Sequence, residues 1–185
     1  MFKELSILIF LLASCQTDKI ITVEKTVFKT SGQDKPYADL LQKYSRGATV
    51  FSNFEQIYVV NATALLPEFR GMFQSRVQER FKNIEMLDGL NGNLGFFVSI
   101  FSPDFEFSKL EDSKRWECLL KIGDKEFRPS AIKFLKEKDR WYSFYPYVNR
   151  WSNEYLIIFS PPQDLGSGPV VFSVANVLAK TVMTW

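Results

Sequence analysis

The chain has 185 residues and a formal net charge of +2 at pH 7. Its hydrophobic fraction of 46%, with 18 Phe and 4 Trp, is enough to fill the core of one folded domain. Lys and Arg number 23 against 21 Asp and Glu and form no charged run, which argues against nucleic-acid binding. The sequence has no histidine. This excludes Ser-His-Asp and Cys-His catalytic sets and most zinc sites.

Near the N-terminus, the basic residue Lys3 precedes an apolar run from Leu5 to Ala13 that only Ser6 interrupts. A membrane-spanning helix needs about 20 apolar residues, and this run is about half that length. A short apolar stretch behind a basic residue is typical of the signal peptide of an exported protein. The run therefore predicts insertion and cleavage rather than a permanent span.

The segment Leu12-Ala13-Ser14-Cys15 resembles the lipobox of bacterial lipoproteins, in which small residues precede a cysteine that receives a lipid. The resemblance implies a cleaved signal peptide over residues 1–14 and lipidation of Cys15. Two or three acyl chains hold such a protein permanently on the membrane, so lipid on Cys15 would be its membrane partner. Gln16 stands where the family's inner-membrane retention signal places Asp, which implies the outer membrane of the cell envelope.

Lipidation of Cys15 would leave Cys118 as the only thiol, so no internal disulfide is predicted. Cys118 lies in the strand-like segment 115–122. Unpaired cysteine is among the most buried residue types, so a core position is expected.

Residues 15–34 are the predicted lipid-anchored N-terminus, followed by a single β-rich domain over residues 35–185. Within the first part, residues 19–30 alternate weakly and fit either a first strand or an extended tether. If the fold begins near Ile20, the tether from Cys15 reaches only roughly 17 Å, which would hold the domain against the lipid headgroups. If the fold begins near Pro36, the longer tether lets the domain move several times further from the membrane.

Two helices are predicted in the N-terminal half. The first runs from Pro36 to about Ser45 with Asp34 near its cap, and its apolar stripe contains Tyr37, Leu40, Leu41 and Tyr44. The second starts at Pro67 with the stripe Phe69, Phe73, Val77, Phe81 and Ile84. Its other side carries an excess of arginine, which fits a solvated face or contact with anionic headgroups: Arg70, Arg76 and Arg80.

The remaining segments favour strands. Residues 49–64 are rich in β-branched and aromatic residues and predict one long strand, bent near Ser52-Asn53. Eight shorter strands follow, over residues 94–101, 115–122, 126–128, 131–135, 141–144, 154–159, 170–177 and 180–184. Their spacing predicts a mainly β (α+β) fold, an antiparallel β-sandwich for which an immunoglobulin-like arrangement is one option, with two short helices in the N-terminal half.

The segment Arg140 to Trp151 is the one stretch with the composition of a binding site. Exposed aromatic rings provide a large contact area at low entropic cost, which suits stacking on sugars or contact with a protein. The candidate binding surface comprises Trp141, Tyr142, Tyr145, Tyr147, Arg150 and Trp151. The alternative is that these rings alternate into the core while Pro146 turns the chain.

No catalytic set emerges from the sequence. The acidic residues Glu68, Glu79, Glu111 and Asp112 lack a partner at the separation that carboxylate catalysis needs, so they are expected on the surface. From Tyr44 through Pro67-Glu68-Phe69-Arg70 to the β-rich C-terminal half, the chain resembles small predicted lipoproteins without an assigned activity. This resemblance implies no catalytic residues.

These observations predict an envelope lipoprotein that acts as a non-catalytic binding or scaffolding module without cofactor or metal. The expected partner is another envelope protein or a glycan. The alternatives are a carboxylate-based hydrolase and a purely structural or lipid-facing protein.

Overall fold

The structure is a computed structural model that describes residues 20–25, 34–80, 89–136, 138–161 and 168–185. The predictions for the signal peptide and Cys15, and for Phe81 and Ile84, lie outside the described residues. The elements in chain order are β1 (Ile20–Lys25), α1 (Lys35–Tyr44), β2 (Ser45–Ser52), β3 (Glu55–Ala64), α2 (Pro67–Arg80), β4 (Leu94–Phe101), β5 (Trp116–Ile122), β6 (Lys125–Phe127), β7 (Ala131–Phe134), α3 (Lys138–Trp141), β8 (Asn153–Phe159), β9 (Val170–Asn176) and β10 (Lys180–Thr184).

The strands form two antiparallel sheets. A six-stranded sheet has the order β1-β2-β3-β4-β8-β7, and a four-stranded sheet has the order β10-β9-β5-β6. Residues Ile20–Lys25 are a strand paired along β2, from Ile20 opposite Ser52 to Lys25 opposite Gly47. The predicted fold class, mainly β with an antiparallel sandwich and two helices in the N-terminal half, is confirmed.

The two sheets pack face to face over one hydrophobic core. In β5 the alternate residues Trp116, Cys118, Leu120 and Ile122 are buried, as expected for a strand with one face on the core and one in solvent. They pack against residues of the central strands, such as Phe96, Val98 and Tyr155. Cys118 therefore has the predicted core position.

A second core lies on the other face of the six-stranded sheet. Helices α1 and α2 and the chain around α3 cover this face, where Phe97 stacks on Tyr145 with ring centroids 3.7 Å apart. Strand β8 is buried at every position because its two faces belong to different cores. The domain thus has three layers, with the six-stranded sheet in the middle.

The predicted long strand over residues 49–64 is wrong, because the chain reverses at Asn53-Phe54 to form the hairpin of β2 and β3. Both turn residues have positive φ, 49° for Asn53 and 67° for Phe54, as in two-residue hairpin turns of type I′. Asn tolerates this conformation, whereas a bulky residue such as Phe rarely adopts it. Without a glycine, the turn resembled a bend within one strand.

The predicted strand over residues 141–144 is also wrong. Residues Lys138–Trp141 are helical, and the amide nitrogens of Phe144 and Tyr145 donate to the carbonyl oxygen of Trp141 at 3.0 and 2.9 Å. Positions 141, 144 and 145 have helical spacing, which places all three rings on the side that packs on the sheet. The aromatic content favoured a strand, but the spacing indicated a helical turn.

Replacing Phe54 with Gly should raise the free energy of unfolding by up to about 1 kcal/mol, because Gly adopts positive φ without the Cβ penalty. Urea denaturation of the chain from Gln16 to Trp185, without lipid and in detergent-free buffer, measures this change. Phe54→Ala keeps the unfavourable φ and should not stabilise the protein. A lower free energy of unfolding for Phe54→Gly would contradict the claim that the positive φ of Phe54 strains the turn.

Burial raises the pKa of the Cys118 thiol to about 12. In a Cys15→Ser variant Cys118 is the only thiol, and the folded protein should react with a thiol-specific disulfide reagent at pH 8 far more slowly than the urea-unfolded protein, because the thiolate is the reactive species. Equal rates in the two states would show that Cys118 is accessible.

Candidate interaction surface

Four connections lie at the same end of the sandwich because of the strand directions. They are the β2–β3 turn at 53–54, the β4–β5 connection at 102–115, the turn at 149–152 before β8, and the β9–β10 turn at 177–179. The corresponding ends of the two sheets meet, since the Tyr58 ring of β3 contacts the Trp116 ring of β5 at 5.2 Å between centroids. The Tyr58 hydroxyl also shares a hydrogen bond of 3.0 Å with the Thr181 hydroxyl of β10.

Each of these four connections exposes a large hydrophobic side chain. Phe54 is 96% exposed, Val177 82%, Trp151 65% and Phe105 62%, which are the four highest values among large hydrophobic residues in the described part of the chain. Ile20 and Leu178 are exposed at the same end. We call this surface the apolar tip: Ile20, Phe54, Phe105, Trp151, Val177 and Leu178.

The apolar tip is unfavourable in water. Burial of a Phe, Val or Leu side chain contributes about 1.5–3 kcal/mol to the free energy of folding. The exposed side chains of the tip lack most of this contribution. Exposed apolar residues scattered singly are ordinary in soluble proteins, but the four most exposed ones in the described part of this chain all lie at one end. The apolar tip is therefore the candidate interaction surface.

Polar turn residues hold the apolar tip in place. Asp104 Oδ1 accepts a hydrogen bond from the Glu106 amide at 3.0 Å, which orders the turn that carries Phe105. Asn149 Oδ1 accepts from the Trp151 amide at 2.8 Å. Asn176 Oδ1 accepts from the amides of residues 178 and 179 at 2.9 and 2.8 Å. Side chains that cap their own turns fix the backbone, so these apolar groups project from defined positions.

A buried carboxylate supports the turn that carries Trp151. Glu154 is fully buried, and its Oε1 accepts hydrogen bonds from the hydroxyls of Ser99 and Ser152. The Ser152 hydroxyl in turn accepts from the Asn149 amide at 3.0 Å. Glu154 thus connects the turn at 149–152 to the central strand β4.

Glu154 is the one buried acidic side chain among the residues that the structure describes. The acidic residues considered for catalysis lie elsewhere: Glu68, Glu79 and Glu111 are exposed and Asp112 is half-buried. A pair of buried acids, as a carboxylate-based hydrolase would need, is not present within the described ranges. Those same ranges contain no group of three or more His, Cys, Asp or Glu that could hold a metal ion.

Basic side chains lie over two of the exposed rings. The Arg150 guanidinium is 4.7 Å from the Trp151 ring centroid, and the Lys109 ammonium is 4.9 Å from that of Phe105. Lys109 also pairs with Glu106, and the Arg115 guanidinium lies 3.2 Å from Asp112. The charges around the β4–β5 connection therefore largely compensate one another.

The structure divides the predicted binding surface. Trp141, Tyr145 and Tyr147 are only 4%, 0% and 8% exposed and belong to the core between the helices and the six-stranded sheet, so they are not surface residues. They are buried because the backbone of α3 and of the residues that follow it directs these rings toward the sheet. Burial also raises the pKa values of Tyr145 and Tyr147 well above the ordinary range.

The other three predicted residues are exposed, and two of them lie together. Arg150 and Trp151 form the stacked pair in the turn before β8, whereas Tyr142 lies in the turn after α3. The other members of the apolar tip were not predicted from the sequence. Their shared signal is a large apolar residue within two positions after an Asn or Asp in a connection: Asn53-Phe54, Asp104-Phe105, Asn149-Arg150-Trp151 and Asn176-Val177.

Two arginines of α2, Arg70 and Arg76, have structural partners. The Arg70 guanidinium donates to the carbonyl oxygens of Leu65, Leu90 and Asn93 at 3.0, 2.6 and 3.2 Å. Those carbonyls lie where β3 ends and β4 begins, at the end of the sandwich opposite the apolar tip. Arg76 pairs with Asp34 at 2.7 Å. Arg70 therefore lies at the end of the sandwich opposite Ile20, and contact of this side of α2 with anionic headgroups stays a prediction.

The sequence matches no protein-family model, and no curated protein shows significant similarity to it. Within the described residues, no helix is long and apolar enough to cross a membrane. The candidate interaction surface therefore depends on the geometry of this chain alone.

Two aromatic substitutions should separate the core from the surface. Trp141→Ala removes a buried side chain and should lower the free energy of unfolding by about 3–5 kcal/mol. Trp151→Ala removes an exposed side chain and should change it by less than about 0.5 kcal/mol. Urea denaturation of both variants checks this. Similar losses for the two would show that Trp151 packs in the core.

Proposed function

We propose that this protein is an envelope lipoprotein, held on the membrane by lipid on Cys15, whose folded domain is a non-catalytic binding module. The observation that carries the proposal is that the first described residue after the anchor sequence and the most exposed hydrophobic side chains lie at the same end of the sandwich. The strand that follows Cys15 starts at Ile20, at the same end of the sandwich as the four most exposed hydrophobic side chains. The first residue described after the anchor sequence, Ile20, and the candidate interaction surface therefore lie at the same end of the molecule.

The length of chain between the anchor and the domain supports the same proposal. Five peptide units separate Cys15 from Ile20, and even fully extended they span only roughly 17 Å. A lipid on Cys15 would thus keep the apolar tip close to the membrane. The Gln16 residue after the cysteine favours the outer membrane as the place of anchoring.

The binding role is supported by the character of the apolar tip. Rigid turns present separate aromatic and aliphatic side chains to solvent, which is a recurring arrangement in protein surfaces that bind a partner. The partner is a component of the envelope, because the anchor confines the domain there. No cofactor is needed for such a function.

Replacing Cys15 with Ser should abolish lipid modification and signal-peptide cleavage, because the thiol is the group that carries the lipid. Mass spectrometry of the full-length protein purified from membranes should find diacylglyceryl on Cys15 of the wild type and an intact leader in the variant. Cys118→Ala is the matched control and should be modified and cleaved like the wild type.

An unmodified Cys15 in the wild-type protein would overturn the proposed anchor. Cleavage of Cys15→Ser at the same position would also do so, since it would indicate an ordinary secretory signal peptide.

A further inference from the structure

We propose that the apolar tip inserts into the interface of the membrane that carries the anchor, so that the sandwich stands with its strands upright on the bilayer. This inference rests on the proposed function and names the partner of its binding surface. The occupant is the lipid headgroup region and the outermost acyl segments, rather than a second protein.

The tether between Cys15 and Ile20 is short. Lipid on Cys15 would place that residue at the membrane surface, and Ile20 would then lie within roughly 17 Å of it. The ten residues of β3 extend about 33 Å between the two ends of the sandwich. The end that carries Ile20 is therefore held near the bilayer, whereas Arg70 and the start of β4 lie far from it.

The exposed groups are spaced apart. The Phe54 turn and the Trp151 turn are separated by about two and a half strand spacings, or roughly 12 Å, and the β9–β10 turn lies about 10 Å away on the facing sheet. The side chains are thus separate projections. A fluid bilayer accepts such projections wherever they fall, whereas a protein partner would need a matching pocket for each one.

The chemistry of one projection also suits a membrane surface. Arg150 over Trp151 combines an apolar ring with a cation on a flexible stem. At a membrane surface the ring enters the apolar boundary while the cation remains among the phosphates. Because ion pairs neutralise Lys109 and Arg115, insertion should depend on apolar contact and only weakly on salt or on anionic lipid.

The position of one tryptophan allows a direct test. Trp151 is exposed at the apolar tip, Trp116 and Trp141 are buried, and the indole of Trp185 donates to the Tyr44 carbonyl oxygen at the opposite end of the sandwich. Full-length protein purified from membranes is reconstituted into phosphatidylcholine vesicles with or without brominated acyl chains. Bromine quenches only those indoles that reach the acyl region.

Brominated lipid should reduce the tryptophan emission of the wild type, and Trp151→Phe should remove most of this reduction. The residual emission from the other three tryptophans should be the same in both kinds of vesicle. Equal quenching of wild type and Trp151→Phe, or none in either, would overturn the insertion of the apolar tip.

A second pair of variants tests the surface as a whole. Phe54→Asp introduces a charge at the tip and should reduce the quenching of Trp151 severalfold. Val182→Asp is the matched control, because Val182 is exposed on the outward face of β10, away from the tip. Equal effects of the two substitutions would overturn the proposed orientation.

Mass spectrometry of the same samples separates this inference from the proposed function. Lipid on Cys15 without quenching of Trp151 would leave the lipoprotein intact and overturn the insertion alone. An unmodified Cys15 would overturn the anchor, and with it the upright orientation that depends on the short tether.

Discussion

The burial of β4 and β8 on both faces is the constraint on which the rest of the structure depends. Alternate residues of these strands point into different cores, as Phe96 packs toward the four-stranded sheet and Phe97 toward the helices. A sheet buried on both sides needs a cover on each. The helices supply one cover and the four-stranded sheet the other, which brings the connections of both sheets together at one end.

This arrangement explains which elements could be predicted from the sequence. Strands β4 and β10 have the predicted bounds, and α1 lies within one residue of its prediction because Asp34 caps it and Pro36 opens its first turn. Strand β4 likewise lies between Gly92 and Pro103, residues whose backbone preferences are strong. The hairpin at Asn53-Phe54 has no such signal, since its second residue adopts positive φ against its own preference.

The candidate site was predictable only in part, and for a related reason. The aromatic content of segment 140–151 predicted a binding surface there. Composition alone does not distinguish rings on a helical turn from rings on a strand. Trp141 and Tyr145 therefore lie in the core, while Arg150 and Trp151 lie at the apolar tip. The rest of the tip comes from turns far apart in the sequence, such as those of Phe54 and Val177. Only the pairing of strands shows that these turns share one end.

Phe54 shows most clearly how a departure from local rules points to function. Its positive φ is costly for a bulky residue, and its 96% exposure adds the cost of an unburied ring. Strain at such positions is a motive for a functional hypothesis, because a sequence selected for stability alone would place glycine there. In a membrane interface the exposed ring becomes favourable while the turn still holds it outward. Under the proposed insertion, the same position would destabilise the isolated domain and stabilise the domain on a membrane.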